Sequence, residues 1–582
     1  MVMSATKRKD VFGFLISLAI LILVNVIGSI SFFRIDLTSE NRYSISEPTK
    51  KLLENIDEDV LIKVYLQGED LPSSMLRLRN ETREILNEFR AYSGGKMDYE
   101  FINPSKHPDK KERDRIYKNL YEKGLRPTDL QIKNDDGMAQ KIVWPGAIIV
   151  YQGKEMAVQL LKSQFGAPPQ VILNQSIESL EYSLASTIKT ISSDELKSIA
   201  FIEGHGELSK FESADIIGSL RDYFHVERVK INGNINSLAH RVAVGKDSTN
   251  MLVKNKFDAI VIAGPDSTFS EKDKFIIDQF AMYGGKTVWL IDQVQASMDS
   301  LRKGGYTMGL AKSLNLDDLF FQYGVRMNYD LVQDLRAAPI PVVTGQFGNQ
   351  ANSQLFPWLF YPLMVSQNNH PINKNIDVVR AQFANSIDLV GNNSLKKTVV
   401  LSTSDKTKLV KAPTRISLNM VSFNPPEEQF TKKNVPIAVL VEGEFTSVFD
   451  NRLPPNITNA GEIKYKNKSP ETQMLFISDA DLIRNRYNPR TNEYYALGFD
   501  QYTKQLYGNK DFFINAMHYL LDDSGIIVSN TKSFKIRLLN SDLVEHNRLL
   551  IQILNTALPI ALIILIGLIL HFIRKKKYTL KK

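Results

Sequence analysis

The sequence predicts an α/β protein: a small N-terminal α/β domain and a doubly wound parallel-sheet domain with an insertion, set between two transmembrane helices. Three observations lead there. Two charge-free apolar segments, residues 11–33 and 549–573, stand near the ends of the 582-residue chain. Between them, short and continuously apolar runs alternate with helical patterns, the mark of parallel strands covered on both faces. The formal charge of +8 resides wholly in the flanks of the apolar segments, with Lys7, Arg8, Lys9 and Asp10 before the first and Arg574, Lys575, Lys576, Lys577, Lys581 and Lys582 after the second. Residues 11–573 are neutral overall, so the high pI describes no nucleic-acid-binding surface.

A helix needs about 20 apolar residues to cross a hydrocarbon core of roughly 30 Å. Both segments satisfy that, at 23 and 25 residues. Lys and Arg are enriched on the cytoplasmic flanks of membrane helices, while long translocated domains escape the rule. Residues 1–10 and 574–582 are therefore expected in the cytoplasm, and the 515 residues between the anchors on the opposite side, the periplasm of a Gram-negative bacterium. The first segment is long for a cleaved signal, and no small-x-small site stands immediately before Arg34. In the second, Gln552 and Asn555 either touch water at the interface or face a polytopic membrane partner, because an unpaired amide in hydrocarbon is costly. Cysteine is absent, which removes disulfides, thiolate metal sites and cysteine nucleophiles.

The elements follow in order. Residues 34–166 read as the small domain. Ser46 and Pro48 mark a helix start, residues 60–66 a strand, residues 77–92 an amphipathic helix and residues 147–161 a hairpin. Residues 167–196 form a bridging helix, with Ile177, Leu180, Leu184, Ile188 and Ile191 at helical spacing. Residues 197–327 begin the doubly wound domain, with strands at 199–202, 259–263 and 287–292. Ser270 starts a helix there, with Asp273 as its capping-box partner. Residues 328–433, rich in Pro, Asn, Gln and Gly, read as the insertion. Residues 434–530 resume the pattern and close with a helix at 509–521. Residues 531–548 are a linker.

The motifs point to a site rather than to a reaction. Gly285-Lys286-Thr287 is no phosphate loop: Phe280 stands where the first glycine belongs, and a helix leads into a strand instead of the reverse. Gly204-His205-Gly206 resembles a dinucleotide fingerprint, but Ser209 replaces its third glycine. Glu203, His205 and Glu207 suit a metal, yet no second histidine cluster completes one. A glycine-rich loop at the carboxyl end of a parallel strand is where such folds bind ligands, so Glu203, Gly204, His205, Gly206, Glu207 and Gly264 are candidate ligand or partner contacts. A tight structural turn is the plainer alternative. Asp479 and Asp481 follow another strand and either join that crevice or cap the next helix. No G-x-S-x-G elbow or H-E-x-x-H helix occurs, and no catalytic residue, cofactor or metal is expected.

Asp36-Leu37-Thr38, Arg42-Tyr43-Ser44, Leu180-Glu181-Tyr182, the loop from Phe201 to Glu207, Tyr283-Gly284-Gly285, Ser478 to Asp481 and Gly508 to Asn515 together resemble the ABC-type auxiliary-domain family, and within it the gliding-motility-associated transporter components of Bacteroidetes. The resemblance implies a permease and a cytosolic ATPase as partners, placement in the bacterial inner membrane, and a glutamine-amidotransferase-like fold for the second domain. Amidotransferase chemistry does not carry over, since the nucleophilic cysteine is missing. Two other readings stay open: an envelope scaffold without a small-molecule ligand, and a hydrolase using Glu203, Glu207, Asp479 or Asp481.

Overall fold

The computed structural model describes residues 5–30, 44–531 and 547–579, apart from stretches at 69–70, 135–136, 163–167, 194, 244–250, 348–349, 365, 367–369, 392–393, 423–424, 459, 489–490 and 492. Asp36-Leu37-Thr38, Arg42-Tyr43 and most of the expected linker lie outside the described residues. The chain divides into two compact units, Met1–Lys532 and Ser533–Lys582.

The small domain is a four-stranded sheet made of β1 (Val60–Val64), β2 (Met97–Phe101), β3 (Gly146–Tyr151) and β4 (Lys154–Gln159), in the order β2-β1-β3-β4. β1 is parallel to β2 and antiparallel to β3. Ahead of it in the chain stand helices α1 (Ala5–Ile30) and α2 (Glu47–Glu54). Ser46 caps α2, its hydroxyl accepting from the Thr49 amide, with Pro48 in the first turn where a missing N–H costs nothing. Helices α3 (Ser73–Tyr92) and α4 (Lys110–Glu122) complete the domain. Leu78, Leu86 and Phe89 are the buried stripe of α3.

The bridging helix α5 (Pro169–Ser192) buries every residue of its apolar repeat, Ile177, Leu180, Leu184, Ile188 and Ile191. Each such side chain contributes about 1.5–3 kcal/mol of transfer free energy. Its polar groups hold both ends of the surrounding fold. Glu181 accepts from the Ser46 amide at 2.6 Å and the Thr49 hydroxyl at 2.9 Å, and Lys189 pairs with Asp522 at 2.6 Å.

The second domain is a seven-stranded sheet. Its strands are β5 (Ser198–Glu203), β6 (His225–Lys230), β7 (Ala259–Ala263), β8 (Lys286–Leu290), β9 (Lys396–Ser402), β10 (Pro436–Thr446) and β11 (Lys468–Ile477), in the order β6-β5-β7-β8-β11-β10-β9. The run β6-β5-β7-β8-β11 is parallel throughout. Its strand order places the topological switch point between β5 and β7. Alternate residues of these strands feed two cores. Ile199, Phe201 and Val261 pack with α6 (Ala214–Arg221) and α8 (Asn509–Leu521). Ala200, Ile202, Ile260 and Trp289 pack with α7 (Glu271–Met282) on the other face.

The sheet departs from the all-parallel expectation at one side, where β10 is antiparallel to β11 and β9 antiparallel to β10. The link from β10 to β11 carries a one-turn helix, Pro455–Thr458, instead of the crossover helix a parallel return requires. β9, counted with the insertion in the sequence, is the edge strand of the main sheet. Helix α6 begins only at Ala214, after the loop that follows β5. The rest of the insertion builds its own small sheets, including a long hairpin of Ala337–Phe347 with Gln350–Met364, around a core of Leu331, Trp358, Phe360 and Phe383.

The C-terminal unit holds helix α9 (Arg548–Thr579). Among the described residues, Arg548–Lys576 is the one helical stretch long and apolar enough to cross a membrane, and none of its most apolar window is buried. α1 is helical too, but its apolar stretch there is the shorter Phe12–Leu23. The expected first span is not established by the structure.

Candidate functional site

The loop after β5 turns sharply because Gly204 and Gly206 adopt φ values of +129° and +78°, which side-chain-bearing residues rarely take. A Cβ on Gly264 (φ +64°) would sit 3.0 Å from the Ala480 Cβ and 3.3 Å from Leu208. The loops that follow β5, β7 and β11 therefore touch, and the sequence-predicted residues Gly204–Glu207, Gly264 and Asp479–Asp481 do share the carboxyl edge of the parallel sheet. They form two clusters there.

The first is centred on His205, whose side chain is 6% exposed. Its ring stacks on Phe269 with centroids 3.7 Å apart. Nδ1 lies 3.0 Å from Glu207 Oε1 and Nε2 lies 3.3 Å from Asp273 Oδ2. Glu207 also accepts from the His205 amide, and Asp273 accepts from the Gly233 amide and the Ser270 hydroxyl. Burial pulls the imidazole pKa down, but bonding and charge from Glu207 and Asp273 outweigh it and leave it above the ordinary value. Burial pushes Asp273 up, yet the Gly233 amide, Ser270 and His205 hold it below the usual carboxylate range. The Ser270 hydroxyl does accept from the Asp273 amide as a cap should, while the Asp273 carboxylate turns to His205 and Gly233, not to the Ser270 amide a capping box would use. Glu203 is held by Arg228, which also donates to Ser213 and the Leu208 carbonyl.

The second cluster joins the ends of β8 and β11. Asp479 is fully buried and accepts from the Asp481 and Gln382 amides, the first bond making the Asx cap of the short helix Ala480–Ile483. Burial, then the charges of Asp481 and Asp292, raise its pKa well above the ordinary value. Burial lifts Asp481 to about 6 against the pull of Arg484, its partner at 2.5 Å. The insertion lies over this end: the Asn385 amide donates to the Ser478 carbonyl and the Gln382 amide to Asp479. Among the described residues no group of three or more His, Asp and Glu side chains is arranged to hold a metal.

Sequence reasoning missed Phe269 and Arg228, which come from other segments, and read Asp273 only as a cap partner. It also missed a cavity of about 320 Å³ at the amino side of the sheet. Tyr182 and Lys189 of α5, Tyr223 and Phe224 before β6, and His518 of α8 line it. His518 sits among three rings, 4.7 Å from Tyr223, 5.1 Å from Phe224 and 6.4 Å from Tyr182 between centroids. A neighbouring space of about 180 Å³, reaching β4 of the small domain, shares Tyr182, Ser186, Tyr223 and His518 with it. Gln552 and Asn555 both lie on α9, three residues apart, and both are exposed.

Comparison with known proteins identifies the family. An uncharacterized protein of Borreliella burgdorferi is 21% identical over 453 residues, covering 77% of this chain and 80% of that protein. The N-terminal domain of mmIFT52 aligns over 59% of this chain and 100% of its own at 12% identity, with a TM-score of 0.30. A thua-like protein from Parabacteroides merdae aligns over 60% of this chain and 94% of its own at 9% identity, with a TM-score of 0.24. Residues 39–150 match a domain of unknown function, DUF7088. Residues 196–516, more than half of the chain and nearly all of the doubly wound domain with its insertion, match the model of the ABC-type uncharacterized transport system, and the chain belongs to that family.

Proposed function

We propose that this protein is a non-catalytic, membrane-anchored component of an ABC-type transport complex of the inner membrane, with both termini cytoplasmic and residues 34–548 periplasmic. The observation that carries the reading is the family match across residues 196–516. The apolar helix at Arg548–Lys576, with Arg574, Lys575 and Lys576 at its end, supports an anchor whose basic flank faces the cytoplasm. The charge-free residues 11–33 behind Lys7, Arg8 and Lys9 support a second anchor of the same orientation. A chain without a phosphate loop needs a separate ATPase, so a permease and a cytosolic ATPase are its partners in this reading. Service in gliding motility or envelope export, and an amidotransferase-like fold for the second domain, follow from the sequence resemblance. In this reading Gln552 and Asn555 of α9 meet the permease.

The test is recovery of the full-length chain in mild detergent with its partners identified by mass spectrometry. Co-recovery of a polytopic permease and a P-loop ATPase is expected. Recovery of the intact chain with neither, under conditions that preserve a control ABC complex, would reject the transporter reading in favour of a scaffold.

A further inference from the structure

We infer that the cavity between α5 and α8 is a binding site for a small, uncharged aromatic molecule carrying a hydrogen-bonding group, of phenol or indole type. The transport reading supplies its purpose, but the geometry argues for it independently.

Size comes first. At about 320 Å³ the cavity stands at the lower end of ordinary ligand pockets, and it lies where the bridging helix α5 packs on the second domain. One part of the wall is aromatic and aliphatic, made of Tyr182, Tyr223, Phe224, Leu521 and Ile526 with the His518 ring, and hydroxyls and paired charges make up the rest. Rings already meet edge to face here, at 77° for Tyr223 with His518 and 89° for Tyr182 with His518. A further ring extends such an array at about 0.5–1.5 kcal/mol per pair beyond the area it buries.

Polarity decides the class. Among the described residues no hydrogen bond reaches the hydroxyls of Tyr182 and Tyr223 or the ring nitrogens of His518, although all three residues line the cavity. Polar groups inside a protein are normally satisfied, so three neutral ones together in a cavity invite a complementary donor or acceptor. The charges, by contrast, are already matched. Lys189 pairs with Asp522 at 2.6 Å, and Lys197 with Asp523 at 2.9 Å. The remaining lining carboxylate, Glu195, is exposed. An anion would have to break one of these pairs, and a cation would find no buried carboxylate free of its lysine. Burial lowers His518 to about 4 and raises Tyr223 to about 12, so both stay neutral across the physiological range. The same low-dielectric surroundings penalise any charged ligand.

The test uses the full-length chain in phospholipid nanodiscs and 4-fluorophenol as the probe, read by ¹⁹F line broadening with empty nanodiscs subtracted. Saturable broadening is expected. Ser186→Phe, which places a ring into the space Ser186 lines, abolishes it. Tyr223→Phe, which removes only a hydroxyl, weakens binding roughly fivefold, as the loss of one neutral hydrogen bond does. Thermal unfolding of each variant confirms that it is folded. No saturable broadening in the parent chain, or broadening unchanged by Ser186→Phe, overturns the assignment. So does stronger competition by 4-fluorobenzoate or by glucose than by unlabelled phenol, which would point to an anion or a polyol. If permease and ATPase co-purify while the probe does not bind, the site assignment fails and the transport reading stands. Probe binding by a chain that captures neither subunit upholds the site and rejects the transport reading.

Discussion

The two ends of the parallel strands contrast. At the carboxyl edge, the position where doubly wound folds usually bind, the candidate loop is filled by its own side chains: His205 lies between Glu207 and Asp273 against Phe269, and Asp479 is buried under the insertion. At the opposite side, where α5 and α8 meet, His518 stands among aromatic rings beside open space. The two histidines thus have opposite surroundings, one held by carboxylates and one by rings. A glycine-rich loop in the expected place is evidence of close backbone approach, and whether that approach serves a ligand or a neighbouring loop depends on residues far away in the chain.

The contrast can be broken most forcefully at His205. His205→Ala would leave the buried Glu207 and Asp273 without the imidazole between them; below about pH 6.5, where the raised pKa keeps that ring protonated, breaking a buried charge pair costs about 3–5 kcal/mol. Urea denaturation of the full-length chain reads the loss; a change below about 1 kcal/mol would mean the carboxyl edge is open to solvent after all.

A second comparison uses pH. The His205 pKa is raised in the fold, so its stabilising contribution is complete below the unfolded value of about 6.5 and is lost as pH rises through the folded value. His518 is lowered to about 4, so its unfolded form binds the extra proton between about 4 and 6.5 and its contribution grows as pH climbs through that window. Stability of the parent chain relative to His205→Gln should therefore shrink above about pH 6.5, whereas stability relative to His518→Gln should grow from about pH 4 to 6.5. Parallel trends for the two variants would show that the environments are not opposed.

The smallest effect belongs to Tyr223→Phe. With no protein hydrogen bond to lose among the described residues, it should alter the unfolding free energy by no more than about 0.5 kcal/mol. A loss above about 1 kcal/mol would reveal an internal partner for that hydroxyl and weaken the case for a ligand.

Much of the architecture was legible in the sequence because apolar strands buried on both faces cannot hide their composition. Residues 199–202 and 259–263 read as strands and are strands. The closing helix Asn509–Leu521 was legible to the residue. What failed was direction and membership. Nothing in Pro436–Thr446 says that it runs against β11, since orientation is decided by the connection and not by the strand. Lys396–Ser402 sits among loop-rich residues that hid its place at the sheet edge. The Glu203–Glu207 loop was located, but its meaning lay in Arg228, Phe269 and Asp273, and no spacing rule links those positions. The cavity was illegible for the same reason, its walls being drawn from three separated segments.

The pairing of β8 with β11 has a consequence for biosynthesis. Thr287 finds its partner Met474 only 187 residues later. At about 5–20 residues per second, one edge of an apolar strand waits roughly 10–40 s for its neighbour. The α5 contacts wait longer still, because Asp522 lies near the end of the folded region. The nascent chain thus carries an unpaired, aggregation-prone strand edge through about a third of its synthesis. On the periplasmic placement proposed above, delivery is favoured if the region is kept unfolded until nearly the whole of it has crossed.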